Sequence, residues 1–291
     1  MASGSSPYPW LLFYLSSCCL ILSSSFCNCR APLSDPDSLL DDITLDTLRD
    51  SLTRQEDSIV FSLIERAKYP YNAPTYDPSY LGDSLNRSLV EVFVRETEAV
   101  QAKAGRYQNP EELPFFPQGL PLSLVPPYNF SQILYPVAAS VNVSRTIWDM
   151  YFNDLLPSFT SEGDDGNYGQ TSASDLVCLQ LLSRRIHYGR FVAEVKFRDA
   201  PNDYTPAIRV QDKDTLTQLV TSASVEEMVQ KRVKKKAMVF AQNVTLESKC
   251  GVNDTEAVYK VDPMVAYQLY KDWVIPLTKV VEIEYLLRRL D

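Results

Sequence analysis

The chain has 291 residues and one histidine, His187. That scarcity excludes metal sites built on clustered imidazoles. The six cysteines contain no C-x-x-C spacing, which excludes zinc modules and thioredoxin-like redox chemistry. Glycine is also scarce, at 9 residues, and neither G-x-G-x-x-G nor G-x-x-x-x-G-K-[ST] occurs, so the phosphate-cradling loops of dinucleotide and nucleotide binding are missing. Basic charge is in deficit: 28 Lys plus Arg stand against 37 Asp plus Glu, for a net −9. Nucleic-acid binding through neutralised phosphates is therefore not expected. The one long apolar run, within 8–30, covers about 14 residues broken by serines and is too short for a membrane span.

What is present is an ordinary globular composition, 45% hydrophobic and 22% charged. A chain this long buries about 70–75% of its unfolded surface, so its core needs neither disulfide nor metal. Residues 1–30 read as a leader with the apolar block and small residues (Ser23, Ser24, Ser25) of a secretory signal peptide, followed by a linker at 31–41. Five N-x-S/T triplets, at Asn86, Asn129, Asn142, Asn243 and Asn253, exceed what chance would give and point the same way. Two features oppose that reading. No basic residue precedes the block, and only Cys178 and Cys250 remain beyond it, as in a protein of a reducing compartment. The expectation is the secretory pathway, with cytosol or a plastid as alternatives and no membrane anchor in the mature form.

From residue 42 to 291 the pattern is helical throughout, and no linker poor in apolar residues divides it. Leu45, Leu48, Leu52, Ile59, Val60, Leu63 and Ile64 recur at helical spacing up to Pro70. A second helix runs from Ser84 to Gly105, and seven prolines then make 106–140 irregular. Helices resume over 143–156. Ser172 with Asp175 reads as a capping box opening a helix to Phe197, Ser224 with Glu227 opens another to Ala241, and Asp262-Pro263 opens the last, to Arg289. The expected fold is all-α: a single-domain bundle of long helices over 42–291.

Charged residues fall on these apolar stripes. Arg49 shares a face with Leu45, Leu48 and Leu52, and Glu56 lies seven residues on. Arg185 lies with Leu181, Tyr188 and Val192, and Lys196 returns to that face three turns later. Thr278 and Glu282 share a stripe with Val274, Val281 and Tyr285. Two readings fit. One is a structural ion-pair network, Arg49 with Glu56 and Lys196 with Glu282. The other is a cavity lined by Arg and Lys for an anionic small molecule, gripped by bidentate guanidinium forks. Elsewhere, His187 and Cys178 sit on opposite sides of one helix and cannot act together, the 231–236 run KRVKKK reads as a solvated face, and Asp164 and Asp165 read as turn formers. No metal or cofactor is expected.

Three segments, TLRDSLTRQEDSIVFSLIERAKYP at 47–70, LQLLSRRIHYGRFVAEVKFRDAP at 179–201 and PLTKVVEIEYLLRRLD at 276–291, resemble the plant and fungal chorismate mutases. The resemblance implies an all-helical homodimer that converts chorismate to prephenate. It also implies roles. Arg49 and Arg185 would hold the two substrate carboxylates with help from Thr278, Lys196 and Glu282 would serve the ether oxygen, and Glu226 would lie near the ring hydroxyl. Glu56 would support the arginines, and Ser222 stands where fungal members carry asparagine. Tyrosine and tryptophan are implied as effectors, at positions matching Arg106, Asn167, Gly169 and Gln170. A non-catalytic, secreted binding protein on the same fold is the alternative.

Overall fold

In a computed structural model of the chain, residues 43–82, 86–243 and 258–291 are described. Thr44 starts helix α1 (Leu45–Arg66): its hydroxyl accepts from the Thr47 amide while the Thr47 hydroxyl accepts from the Thr44 amide, closing a reciprocal cap. Its apolar stripe is the predicted one, with Leu48, Ile59, Val60 and Leu63 buried. Helix α2 (Leu89–Lys103) begins at Ser88, whose hydroxyl accepts from the Glu91 amide, so the expected start at Ser84 is early by one turn; Ser84 itself lies outside the described residues. The proline-rich stretch is irregular as expected, holding only short 3-10 turns at Arg106–Gln108 and Ala138–Ser140. Buried Glu98 on α2 ties it down by accepting from the amides of Phe115 and Phe116.

Helices α3 (Ser144–Met150) and α4 (Leu156–Phe159) are joined by a π-helical turn at Tyr151–Leu155. Helix α5 (Tyr168–His187) starts at Asn167, a turn before Ser172, so Ser172 and Asp175 are not its cap; both are fully buried inside it. Asp175 instead accepts from Arg66 Nε (2.6 Å), Tyr76 (2.7 Å) and Tyr151 (2.8 Å), clamping α5 to the end of α1. Nor does this helix run unbroken to Phe197. It stops at His187, and α6 (Gly189–Asp199) follows after Tyr188.

Short helices α7 (Pro201–Arg209) and α8 (Lys213–Val220) turn the chain into α9 (Ala223–Phe240), which starts at Ser222, two residues before the expected Ser224. Asp262 caps α10 (Pro263–Gln268) as predicted, and a π-helical turn at Leu269–Val274 leads into α11 (Ile275–Leu287). α1 packs on α5 and α9, and α11 packs on α6 and α8. No strand occurs among the described residues, only an isolated bridge between Gln242 and Tyr259. The all-α expectation holds. The leader, the linker, Asn253 and Cys250 lie outside the described residues.

Candidate active site

Where α1, α5, α6, α9 and α11 converge, they enclose a cavity of about 480 Å³, a size suited to a small organic molecule. Its lining brings together Arg49, Glu56, Arg185, Lys196, Ser222, Glu226, Thr278 and Glu282, the eight catalytic and substrate-binding candidates. The effector candidates are elsewhere. Arg106 donates to Glu112 (2.8 Å) and to Gln180 (2.6 Å), while Asn167 donates to Asp165 at the other end of α5 and Gly169 and Gln170 follow it.

Lys196 on α6 donates to Glu282 on α11 (2.8 Å) and to the Val220 carbonyl (2.9 Å). Burial pushes the Glu282 carboxyl above its ordinary range, against the pull of Lys196 and Arg185. Arg185 is 5% exposed, makes one long hydrogen bond to the Thr278 hydroxyl (3.4 Å), and has a buried Nε without a partner among the described residues. A buried guanidinium with an unpartnered donor has the chemistry to receive an anion. Thr278 turns its own hydroxyl proton to the Val274 carbonyl (2.6 Å), leaving its oxygen to accept from Arg185.

Arg49 departs from expectation. Its side chain is 60% exposed at the cavity rim and pairs with Asp46 (2.8 Å), not with Glu56, because it lies in the first, solvent-facing turns of α1. Glu56, fully buried, takes Arg232 (2.5 and 2.8 Å) and Lys236 (3.1 Å) instead. The KRVKKK run is therefore not a plain solvated face. Arg232 and Lys236, four residues apart, turn inward while Lys231 stays out, paired with Glu227. Arg232 and Lys279 are the lining cations that sequence reasoning missed. The signal for Arg232 was available: Val225, Met228, Val229, Arg232 and Lys236 form one stripe. Lys279 follows Thr278 off the main stripe and reaches Glu226 (2.8 Å) across the cavity.

Five cations (Arg49, Arg185, Lys196, Arg232, Lys279) face three carboxylates (Glu56, Glu226, Glu282), an excess of two positive charges suited to a dianion. The remaining candidates are structural, as expected. His187 accepts from the Val143 amide (2.9 Å), and burial lowers its pKa to about 3. Burial likewise pushes the Cys178 thiol up to about 12. Asp164 and Asp165 accept from the turn amides of Gly166 and Asn167. Among the described residues no group of His, Cys, Asp and Glu could hold a metal, and no helix is long and apolar enough to cross a membrane.

The sequence matches the model of the family described as chorismate mutase type II over residues 167–283. It is 59% identical to chorismate mutase 2 of Arabidopsis thaliana over 250 residues, covering 86% of this chain and 94% of that one. It is 55% identical to the cytosolic chorismate mutase 2 of Zea mays (86% and 98% covered) and 51% to the chloroplastic chorismate mutase 1 of Petunia hybrida (85% and 76%). Among solved structures, AtCM1 with tyrosine bound in an allosteric site superposes with a TM-score of 0.76 at 49% identity, covering 86% of this chain and 97% of that one. The Aro7p chorismate mutase from Candida albicans in complex with L-Trp gives 0.79 at 36% identity, with 88% and 94% covered. The relatives overturn the secretory expectation: those whose names give a compartment are cytosolic or chloroplastic, and none points to export. An apolar, serine-rich stretch is not specific to export signals. The non-catalytic alternative also falls, since the chain belongs to the chorismate mutase family and is an isomerase that rearranges chorismate to prephenate.

Proposed function

We propose that the cavity between α1, α5, α6, α9 and α11 is where this rearrangement occurs. The observation that carries the reading is Arg185, buried with open donors, beside the Lys196–Glu282 pair. Every bond made or broken in a [3,3] rearrangement belongs to the substrate, so the protein's tasks are to fold a flexible dianion into a chair and to stabilise negative charge on the ether oxygen. Arg185 holds one carboxylate from the buried end, and Arg49 swings from Asp46 to hold the other at the rim. Thr278 orients Arg185. Lys196 donates to the ether oxygen. Glu282, whose carboxyl burial shifts toward the protonated form, donates to it when protonated. Glu226 meets the ring hydroxyl near Ser222, while Glu56 holds Arg232 in the wall.

Removing the buried receptor tests this. Arg185→Ala is expected to lower prephenate formation by about 100-fold or more while the helical circular dichroism is kept, since truncating a buried, charge-recognising group costs several kcal/mol. Activity within threefold of the unmutated chain would place the reaction elsewhere.

We also infer a homodimer whose effector site is shared between copies. Gln180, the partner of Arg106, lies ten residues along α5 from Gln170, about 15 Å at helical rise, so Arg106 reaches Gly169 and Gln170 only from a second chain. The relatives solved with tyrosine or L-Trp support such a site. Glu112 already neutralises Arg106, so an effector carboxylate must displace it and the response is small. Prephenate formation with tyrosine and tryptophan added in turn, beside sedimentation of the protein, checks both parts.

A further inference from the structure

The four central groups of the site stand on two helical walls. Arg185 and Lys196 belong to α5 and α6, and Thr278 and Glu282 belong to α11. A glycine stands between the two walls. A Cβ on Gly189 would lie 2.8 Å from the Thr278 carbonyl oxygen, 3.1 Å from the Thr278 methyl and 3.4 Å from Cγ of Glu282. The first contact is with backbone, which cannot rotate away as the end of a flexible side chain would. Gly189 is also the first residue of α6, between Arg185 and Lys196. The helix break in front of it is held by its neighbour. Phe191 bonds back to the Tyr188 carbonyl, which leaves the His187 carbonyl to Arg190 Nε (3.1 Å). The buried Arg190 guanidinium also takes the carbonyls of Ala139 and Pro110 (2.8 Å each). The junction is thus fastened from outside and pressed against α11 from inside.

We propose that Gly189 is a positioning residue, the absence of its side chain setting the gap across which Arg185 and Lys196 face Thr278 and Glu282. It rests on the reading that Lys196 and Glu282 together serve the ether oxygen. A methyl at 189 wedges α6 from α11 at the level of Thr278 and Glu282, lengthening the 2.8 Å Lys196–Glu282 contact while leaving Arg185 on its own helix to bind a carboxylate. The loss should therefore fall on kcat and spare KM. A misplacement of this order costs about 10- to 100-fold in rate. It also changes the pH profile. Lys196 draws the Glu282 carboxyl down, so moving it away keeps Glu282 protonated to higher pH.

The test is Gly189→Ala in the full chain, with Ala193→Gly on the same helix as a destabilised control whose site spacing is intact, and thermal unfolding of both. The expected result is a kcat lower by at least about tenfold, KM within threefold, and an alkaline limb moved to higher pH, while Ala193→Gly keeps the unmutated kcat and limb. A kcat within twofold of the unmutated protein, a loss matched by Ala193→Gly, or an alkaline limb that stays in place overturns the proposal. Should Gly189→Ala unfold at the assay temperature, kcat is taken per folded molecule below its unfolding transition, and also in the Thr278→Ser background, which removes the 3.1 Å methyl contact though not the 2.8 Å backbone one, against Thr278→Ser alone, with the same outcomes deciding. Arg185→Ala assayed in parallel separates the two failures. If it is fully active the site reading is wrong, whereas if it is inactive beside a normal Gly189→Ala, only the role of Gly189 is.

Discussion

Two clusters of buried charge lie along α5, and they do opposite things. Near its start, Asp175 accepts from Arg66, Tyr76 and Tyr151, and the remaining Arg66 donors are taken by the carbonyls of Tyr69, Pro70 and Tyr71. Near its end, Arg185 keeps an open Nε beside a cavity with two positive charges in excess. A buried charge whose partners are complete holds helices together, and one whose partners are missing waits for a ligand. Both arginines sit on core-facing stripes, so position alone does not separate them; completeness of hydrogen bonding does.

The largest expected difference breaks the first cluster. Asp175→Ala leaves the Arg66 guanidinium buried beside two phenols without its carboxylate, and loss of one partner of such a pair costs about 3–5 kcal/mol. Denaturant unfolding should show that loss, with kcat per folded molecule unchanged within about twofold, since Asp175 does not line the cavity. Arg185→Ala should give the inverse pattern, with activity lost and stability nearly kept. If both variants lose both properties together, the distinction between holding and receiving clusters fails.

Glu282→Gln sharpens the comparison from the catalytic side. Burial raises the Glu282 carboxyl, so the donor form is present below that raised pKa and is lost as pH rises through it. Turnover of the unmutated protein should fall toward alkaline pH. The amide donates at every pH, so the variant's profile should be flat where the unmutated one falls. An alkaline fall that persists in Glu282→Gln would assign it to another group.

How much of this was legible in sequence follows from what periodicity can carry. Helical spacing placed Arg185, Lys196, Thr278 and Glu282 inward, and all four line the cavity. It could not place Arg49 correctly, because a stripe near a helix start can run past the edge of the body it packs on. It misread Ser172 with Asp175 as a cap because the S-x-x-D spacing also arises inside a helix, and the real N-cap, Asn167, five residues before Ser172, makes no side-chain cap hydrogen bond. Arg232 was hidden in a run of like charges whose composition suggests solvent, though the stripe of α9 turns it inward. The partner of Glu56 came from a helix more than 170 residues away, and no local pattern encodes which helix that is.

The smallest expected effect concerns Arg49, the rim counterpart of Arg185. Its pair with Asp46 is solvent-exposed, and such pairs contribute little. Arg49→Ala should leave thermal stability unchanged. Its cost falls on substrate capture, where one carboxylate loses a mobile, water-screened partner while Arg185 still holds the other. KM should rise, and the rise should shrink as salt is added, because the interaction lost is screened at the cavity mouth. Asp46→Asn makes the opposite move. Freed from its carboxylate, Arg49 turns to substrate without exchanging partners, and KM should fall by no more than about fivefold, the size of an exposed ion pair. If both variants leave KM unchanged across a salt series, the second carboxylate is held from inside the cavity, where Arg232 is the cation placed to do it.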